Sequence, residues 1–270
     1  MRRIAPIFLL TALLLGLCGC AASPAPLTVT LLRVGKADAI VLQCGGQTLV
    51  IDTGEADDGP ELLRCLDRLG AGRIDALILT HFDRDHIGGA AMLCERTEIG
   101  RVLLPDCEGS GEEYLAFTKA AEAAGLSPER LSAPLTFSLG ACRVLVEPPG
   151  DYENRSDNNS SLIVTVEHGK LRLVFAGDAE KQRIREYLAG DSALPCDFLK
   201  VPHHGVWNTA LRELFSQLSP RVAVICDSDK NPAEEKTLTQ LEKLGAAVYE
   251  TRFGTVTVES DGRKLSVRQG

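Results

Sequence analysis

The chain alternates short apolar runs with amphipathic stretches. Residues 27–34, 39–44 and 48–51 are rich in Leu, Val and Ile and are separated by Gly35-Lys36-Ala37-Asp38 and Gly45-Gly46-Gln47, which predicts three successive strands. Leu62, Leu63, Leu66 and Leu69 then recur at helical spacing, predicting a helix over 59–69. The apolar run 76–79 reads as a buried strand, 87–96 as a helix, 101–104 as a strand and 112–124 as a helix. A second set opens with strands at 135–138 and 142–146. It crosses a polar stretch from Pro148 to Asn159 and continues as a hairpin, 161–166 and 171–176, turned at His168-Gly169-Lys170. Helices over 179–189, 209–217 and 232–244 alternate with strands at 197–201, 222–226, 247–250 and 255–259. Each half runs from strands into alternating strands and helices, so the pattern predicts an α/β fold of two sheets face to face with helices outside.

Polar residues gather where these strands end. Run 76–79 empties into Thr80-His81-Phe82-Asp83-Arg84-Asp85-His86, while Asp52, Asp178, His203-His204 and Asp227 follow four other strands. The carboxyl ends of strands are where α/β sheets hold ligands. Four of the five histidines stand at such ends, whereas His168, in the predicted hairpin turn, is expected to be solvent-exposed and without a role. His81 and Asp83 are two apart on an extended loop and can face the same way; the adjacent Asp85 and His86 diverge and can reach a second ion. An acidic turn capping the next helix needs one acceptor, not two His and two Asp, so the cluster reads as a metal site. Asp178 adds a carboxylate able to bridge two ions, and its competing role is the N-cap of the helix over 179–189.

Composition narrows the class. With 270 residues and 44% hydrophobic content, a sizeable core is available. Net charge is −8, and −10 once Arg2 and Arg3 leave with residues 1–19, so no basic patch holds nucleic acid statically, although transient turnover of a polyanion is compatible. Met1-Arg2-Arg3, an apolar stretch over 4–17 and Leu17-Cys18-Gly19-Cys20 have the layout of an export signal over 1–20, too short to span a bilayer comfortably. A tether over 21–26 and a domain over 27–270 follow. Seven cysteines lie beyond Cys20 with no CxxC or CxxH spacing, which leaves a zinc ribbon unsupported. Cys44, Cys142 and Cys226 fall in strand-like runs and are expected to be buried; Cys65 and Cys94, on helices flanking the same strand, are expected to approach each other.

His81 to His86, followed by Ile87-Gly88-Gly89, resembles the HxHxDH signature of the metallo-β-lactamase fold in an HxDxDH form, and is similar to the hydrolase domain of ComEC-type competence DNA-uptake proteins. The resemblance extends through 34–39, 49–54, Asn158-Asn159-Ser160-Ser161-Leu162, Phe175-Ala176-Gly177-Asp178 and 199–205, covering nearly all of 28–260. It implies a four-layer αββα sandwich with mixed sheets and a dinuclear metal site at the sheet edges. On it, His81, Asp83 and Asp178 would hold one ion, and Asp85, His86, Asp178 and one of His203 and His204 the other, with His204 favoured. Asp85 and His204 would stand at the reacting end, while Asp38, Asp52, Asn158 and Asn159 would orient the ligands. The oxygen-rich donor set makes manganese a candidate beside zinc. The first residues likewise resemble a bacterial lipoprotein signal. That likeness implies acylation of Cys20 and anchoring on the outer face of the cytoplasmic membrane, or else secretion.

Three departures from that family bear on function. Val206 stands where a Ser usually follows HHG, Asp229 to Pro232 lacks the family's late His, and no permease segment accompanies the domain, so a transport role would need a separate membrane channel. The expected activity is hydrolysis of a phosphodiester by two ions that bind a hydroxide between them, lower its pKa and steady the leaving oxygen. DNA is the substrate the resemblance implies; a cell-wall phosphodiester or phosphorylcholine ester suits the acidic surface better. A serine mechanism is discarded, because Ser156-Asp157-Asn158 occurs without any SxxK, KTG or GxSxG. The remaining alternative is a non-catalytic or weakly active metal-binding lipoprotein that assists a membrane channel.

Overall fold

The computed structural model describes residues 24–150 and 156–270, so the export segment, Cys20 and the start of the tether lie outside the described residues. Strands β1 (Leu27–Leu31), β2 (Ala39–Cys44) and β3 (Gln47–Thr53) form a meander, followed by α1 (Gly59–Arg68), β4 (Ala76–Ile78), α2 (Arg84–Ile87), α3 (Ala90–Arg96), β5 (Val102–Pro105), α4 (Glu112–Ala123) and β6 (Glu129–Leu131). A second series comprises β7 (Leu135–Leu139), β8 (Cys142–Glu147), β9 (Ile163–His168), β10 (Leu171–Phe175), α5 (Lys181–Ala189), β11 (Phe198–Lys200), α6 (Thr209–Leu218), β12 (Val222–Ile225), α7 (Glu235–Lys243) and β13 (Ala247–Glu250). Strands β14 (Val256–Ser260) and β15 (Leu265–Gln269) then return to the first sheet.

Among the described residues the first sheet has the order β15-β14-β1-β2-β3-β4-β5-β6 and the second β13-β12-β11-β10-β9-β8-β7. Each joins an antiparallel half, built from hairpins, to a parallel half whose strands are linked through helices. Period-two alternation sorts the side chains. On β2, Ile40, Leu42 and Cys44 enter the core between the sheets, whereas Ala39 and Val41 face the helices α1, α3 and α4. Phe175 and Phe198, with ring centroids 5.3 Å apart, fill the inter-sheet core, and α5, α6 and α7 cover the other face of the second sheet. The result is the αββα sandwich that the resemblance implies.

Three features differ from the sequence reading. The helix expected over 87–96 is broken at Gly88-Gly89 into α2 and α3, where the chain passes too close to its neighbours for a side chain: a Cβ on Gly88 would fall 2.4 Å from the Ala56 nitrogen. Strands β6 and β15 were not anticipated; both are short edge strands with partly exposed residues and a weak periodic signal. His168 is not exposed. Strand β9 runs on to include it, leaving Gly169-Lys170 as the turn, and the imidazole is fully buried. Cys65 and Cys94 do share the helical layer over the first sheet, but as free thiols, with burial pushing Cys94 up to about 11. No helix among the described residues is long and apolar enough to cross a membrane.

Candidate metal centre

Strands β3, β4, β10 and β11 deliver the site from their carboxyl ends: Asp52 from β3, His81 to His86 from the loop after β4, Asp178 from the turn after β10, and His203-His204 from the turn after β11. Asp38 enters from the turn before β2. Two edges, one per sheet, therefore face each other across the cluster.

One donor atom each from Asp85, His86, Asp178 and His204 lies within 4.8 Å of the other three. Asp178 divides its oxygens, with Oδ1 3.2 Å from His86 Nε2 and Oδ2 3.1 Å from His204 Nε2, and Asp85 Oδ2 is 3.3 Å from that same nitrogen. The opposite ring nitrogens are tied outward. His86 Nδ1–H donates to Asp52 Oδ2 at 2.8 Å, and Asp52 is itself fixed by the Thr80 amide and hydroxyl, both at 2.7 Å. His204 Nδ1–H donates to the Cys226 carbonyl at 2.9 Å, and His81 Nδ1–H to the Thr80 hydroxyl at 3.0 Å. This network sets the tautomers so that lone pairs on three Nε2 atoms point inward.

Those Nε2 atoms of His81, His86 and His204, with Asp178 Oδ1, are buried and lack a hydrogen-bond partner. Such an arrangement is costly unless a cation or a proton lies among them, and two imidazoles with two carboxylates are a suitable donor set for a divalent ion. Without metal a proton takes that place. Burial favours neutral His86, but Asp178, Asp52 and Asp38 outweigh it and hold the imidazole well above its ordinary range. His204 is raised in the same way, burial being outweighed chiefly by Asp178 and Asp85. Burial would lift Asp178, yet His204 and His86 keep it well below the usual carboxylate range.

The other half of the cluster is sparser. His81 Nε2 is 3.7 Å from Asp83 Oδ2, and the Asp83 side chain is 40% exposed. Asp83 sits at the N-cap of α2 without a side-chain capping bond, so its carboxylate is not consumed by the helix. Neither is Asp178 a cap, because Glu180 holds that position on α5. Both His203 (φ +49°) and His204 (φ +51°) are left-handed, which throws the adjacent imidazoles apart. Only His204 joins the cluster. His203 Nδ1 lies 3.6 Å from Glu180 in a separate cavity of about 580 Å³ shared with Val206 and Trp207.

Asn158 and Asn159 lie beside the start of α5. Each donates to the Glu180 carboxylate at 3.3 Å, and Asn159 Oδ1 accepts the Arg183 amide at 3.0 Å, so the pair braces the start of α5. Ser161 reaches the site directly: its hydroxyl accepts the Asp178 amide at 3.1 Å and lies 3.5 Å from His81 Nδ1. Asp227 braces a loop by accepting the Ala233 and Arg252 amides. Lys200 was also missed by the sequence reading. Fully buried, it ion-pairs with Asp38, lies 3.6 Å from Asp178 Oδ1 and donates to the Gly177 carbonyl at 3.0 Å. A lysine inside the apolar run 197–201 was the available signal. A cleft of about 990 Å³, with Asp57, Asp58, Asp83, Asp85, Lys36 and Arg84 in its walls, opens over the centre.

A family profile described as the metallo-beta-lactamase superfamily matches residues 32–226. ComE operon protein 3 of Bacillus subtilis is 30% identical over 199 residues, covering 72% of this chain and 26% of that protein. Recombination protein 2 of Haemophilus influenzae is 28% identical over 250 residues, covering 89% and 30%. The chain thus spans under a third of the length of these curated relatives. The solved metallo-beta-lactamase fold protein YhfI from Bacillus subtilis superposes with a TM-score of 0.60 at 12% identity, over 87% of this chain and 100% of that one, a likeness of fold.

Proposed function

The chain belongs to the metallo-beta-lactamase superfamily, and from that premise we propose that it is a metal-dependent hydrolase of phosphodiesters. The observation that carries the reading is the buried cluster of Asp85, His86, Asp178 and His204, whose inward nitrogens lack hydrogen-bond partners. These four would hold one ion, and His81, Asp83 and Asp178 a second. Zinc or manganese bound there supplies Lewis acidity toward a phosphoryl oxygen and acidifies water. The chain's own residues prepare the site. Asp52, Thr80 and the Cys226 carbonyl hold the imidazoles in the ligating tautomer, and Lys200 offsets part of the negative charge that Asp38 and Asp178 bring into a dry interior. Asp85, 17% exposed and next to His204, is the member of the cluster that opens on the cleft, so this pair is assigned to the reacting end.

The carboxylates in the cleft walls favour a small or briefly held substrate over a statically bound polyanion. A cell-wall phosphodiester or phosphorylcholine ester fits that condition, and DNA fits it under transient turnover. Export through residues 1–20 with a lipid on Cys20 belongs to the same proposal, since either substrate lies outside the membrane; a separate channel would be the partner in DNA uptake. The exposed position of Asp83 and the lack of a His over Asp229 to Pro232 favour a second reading, a metal-binding module of little activity.

The experiment is elemental analysis of protein purified without chelator, followed by turnover of bis-p-nitrophenyl phosphate, single-stranded DNA and p-nitrophenyl phosphorylcholine with manganese and with zinc. Two ions per chain at this cluster, beyond any bound elsewhere in the chain, and metal-dependent turnover are expected. One ion or none at this cluster, with no turnover of any of the three, would replace the hydrolase with the module.

A further inference from the structure

The far end of the sandwich carries a second cluster of metal-ligating side chains. Cys44 closes β2, whose other end follows Asp38, and His168 closes β9, whose other end follows Ser161, so both lie a full strand away from the centre described above. Cys142 opens β8 and pairs with His168 across the β8–β9 ladder. All three are buried, and one donor atom from each lies within 4.8 Å of the other two. Cys44 belongs to the first sheet and the other two to the second, so the cluster joins the sheets at one end of their shared core.

We propose that Cys44, Cys142, His168 and the main-chain carbonyl of Ala25 form a structural site for one thiophilic divalent cation, zinc by preference. The Ala25 carbonyl accepts from His168 Nε2 at 2.9 Å and from Cys44 Sγ at 3.4 Å, so oxygen, imidazole and sulfur already converge. The Ala141 amide donates to Cys44 Sγ at 3.4 Å, a contact that stabilises a thiolate. On the far side of the imidazole, Nδ1 lies 2.6 Å from the Ser260 hydroxyl, whose oxygen also accepts the Gly262 amide at 3.1 Å. With the ring proton moved from Nε2 to Nδ1, Ser260 accepts a hydrogen bond from Nδ1–H, which frees the Nε2 lone pair for a cation and fixes the ring.

Charge and size agree with this donor set. Binding releases two thiol protons to solvent, and the resulting pair of thiolates neutralises a divalent ion, the net charge that a buried site requires. A monovalent ion would leave one uncompensated negative charge. Bond lengths of about 2.3 Å to sulfur and about 2.0 Å to nitrogen place tetrahedral donors about 3.3–3.8 Å apart, within the observed spread. The backbone holds the sulfurs close: Gly140, in the β7–β8 turn, presses so tightly on β2 that a Cβ there would fall 2.4 Å from the Cys44 carbonyl oxygen. A cation here would tie the segment at Ala25 to both sheets.

Cobalt(II) tests the site, because thiolate ligation gives charge-transfer absorption in the near ultraviolet that a His and Asp centre lacks. The full chain, stripped with chelator and kept reduced, should bind cobalt with that absorption saturating at one thiolate-ligated ion per chain, and zinc should bleach it. Cys142→Ser should abolish the band. Cys226→Ala, which removes a thiol beside Asp38 in the hydrolytic centre, should keep it. Absence of the band in the unmodified chain, its survival in Cys142→Ser, or its loss in Cys226→Ala overturns the proposal. Should Cys142→Ser fail to fold by circular dichroism, Cys226→Ala decides alone.

Discussion

Asp178 gives one carboxylate oxygen to His86 and the other to His204, whereas Asp83 approaches only His81 and stands partly in solvent. Asp178→Ala should therefore cost more bound metal than Asp83→Ala, read as ions per chain by elemental analysis, and equal losses would remove the bridging role. The adjacent histidines should separate as cleanly. His204→Ala is expected to lower metal content, while His203→Gly should leave it unchanged and also relieve the left-handed strain at φ +49°, about 1–2 kcal/mol. The pH response follows from the raised imidazoles. In the metal-free protein His86 and His204 contribute stability that is complete below their unfolded pKa, about 6.5, and is lost as pH rises through their higher folded values. Metal needs those nitrogens deprotonated, so its affinity rises over the same range. The increase in Tm on adding zinc should thus be larger at pH about 8 than at pH about 6. A constant increment would refute the proton-for-metal exchange.

At the scale of elements, the break between α2 and α3 turns the chain immediately after the metal-ligating residues. Gly88 lies 2.4 Å from the Ala56 nitrogen and 2.6 Å from the Arg84 carbonyl at the position a Cβ would take, contacts with backbone that cannot yield cheaply. Gly88→Val should cost at least about 1–3 kcal/mol through overpacking. Urea unfolding measures it, and metal content should fall in parallel because Asp85 and His86 ride on α2. Unchanged stability would mean that the helix pair tolerates a shift there. The second sheet uses a different device at the matching edge. Its turn after β11 carries two consecutive left-handed histidines, so one strand end supplies a ligand to the cluster and a side chain to the neighbouring cavity.

For the molecule as a whole, the acidic balance and the carboxylates of the cleft set how a charged substrate arrives. A protein that holds DNA through a basic channel loses affinity as salt rises. Here added salt screens repulsion, so kcat/KM for an oligonucleotide should hold or increase between about 50 and about 200 mM salt, measured beside bis-p-nitrophenyl phosphate as a singly charged control. A steep fall would point to a basic surface that the cleft does not present. The two sheets also give the molecule two chemically distinct ends. The strand ends nearest Asp178 gather carboxylates and imidazoles, and the opposite ends gather Cys44, Cys142 and His168.

Much of this was legible in the sequence, because period-two and period-3.6 patterns are local. They placed most of the strands and helices, and the run from His81 to His86 announced its chemistry by density alone. The edge strands β6 and β15 escaped because half-exposed residues leave little alternation to read. Tertiary structure decided what depends on partners distant in sequence. Ser161 reaches His81 across 80 positions, and His168 reaches Ala25 across 143. Asn158 and Asn159, close to Ser161 in the chain, were drawn instead to Glu180. Two neighbouring histidines look alike in sequence, and only the backbone turn after β11 sent His204 inward and His203 aside. Residue type and spacing decide which groups are available to a strand end; the packing of one sheet against the other decides which of them meet.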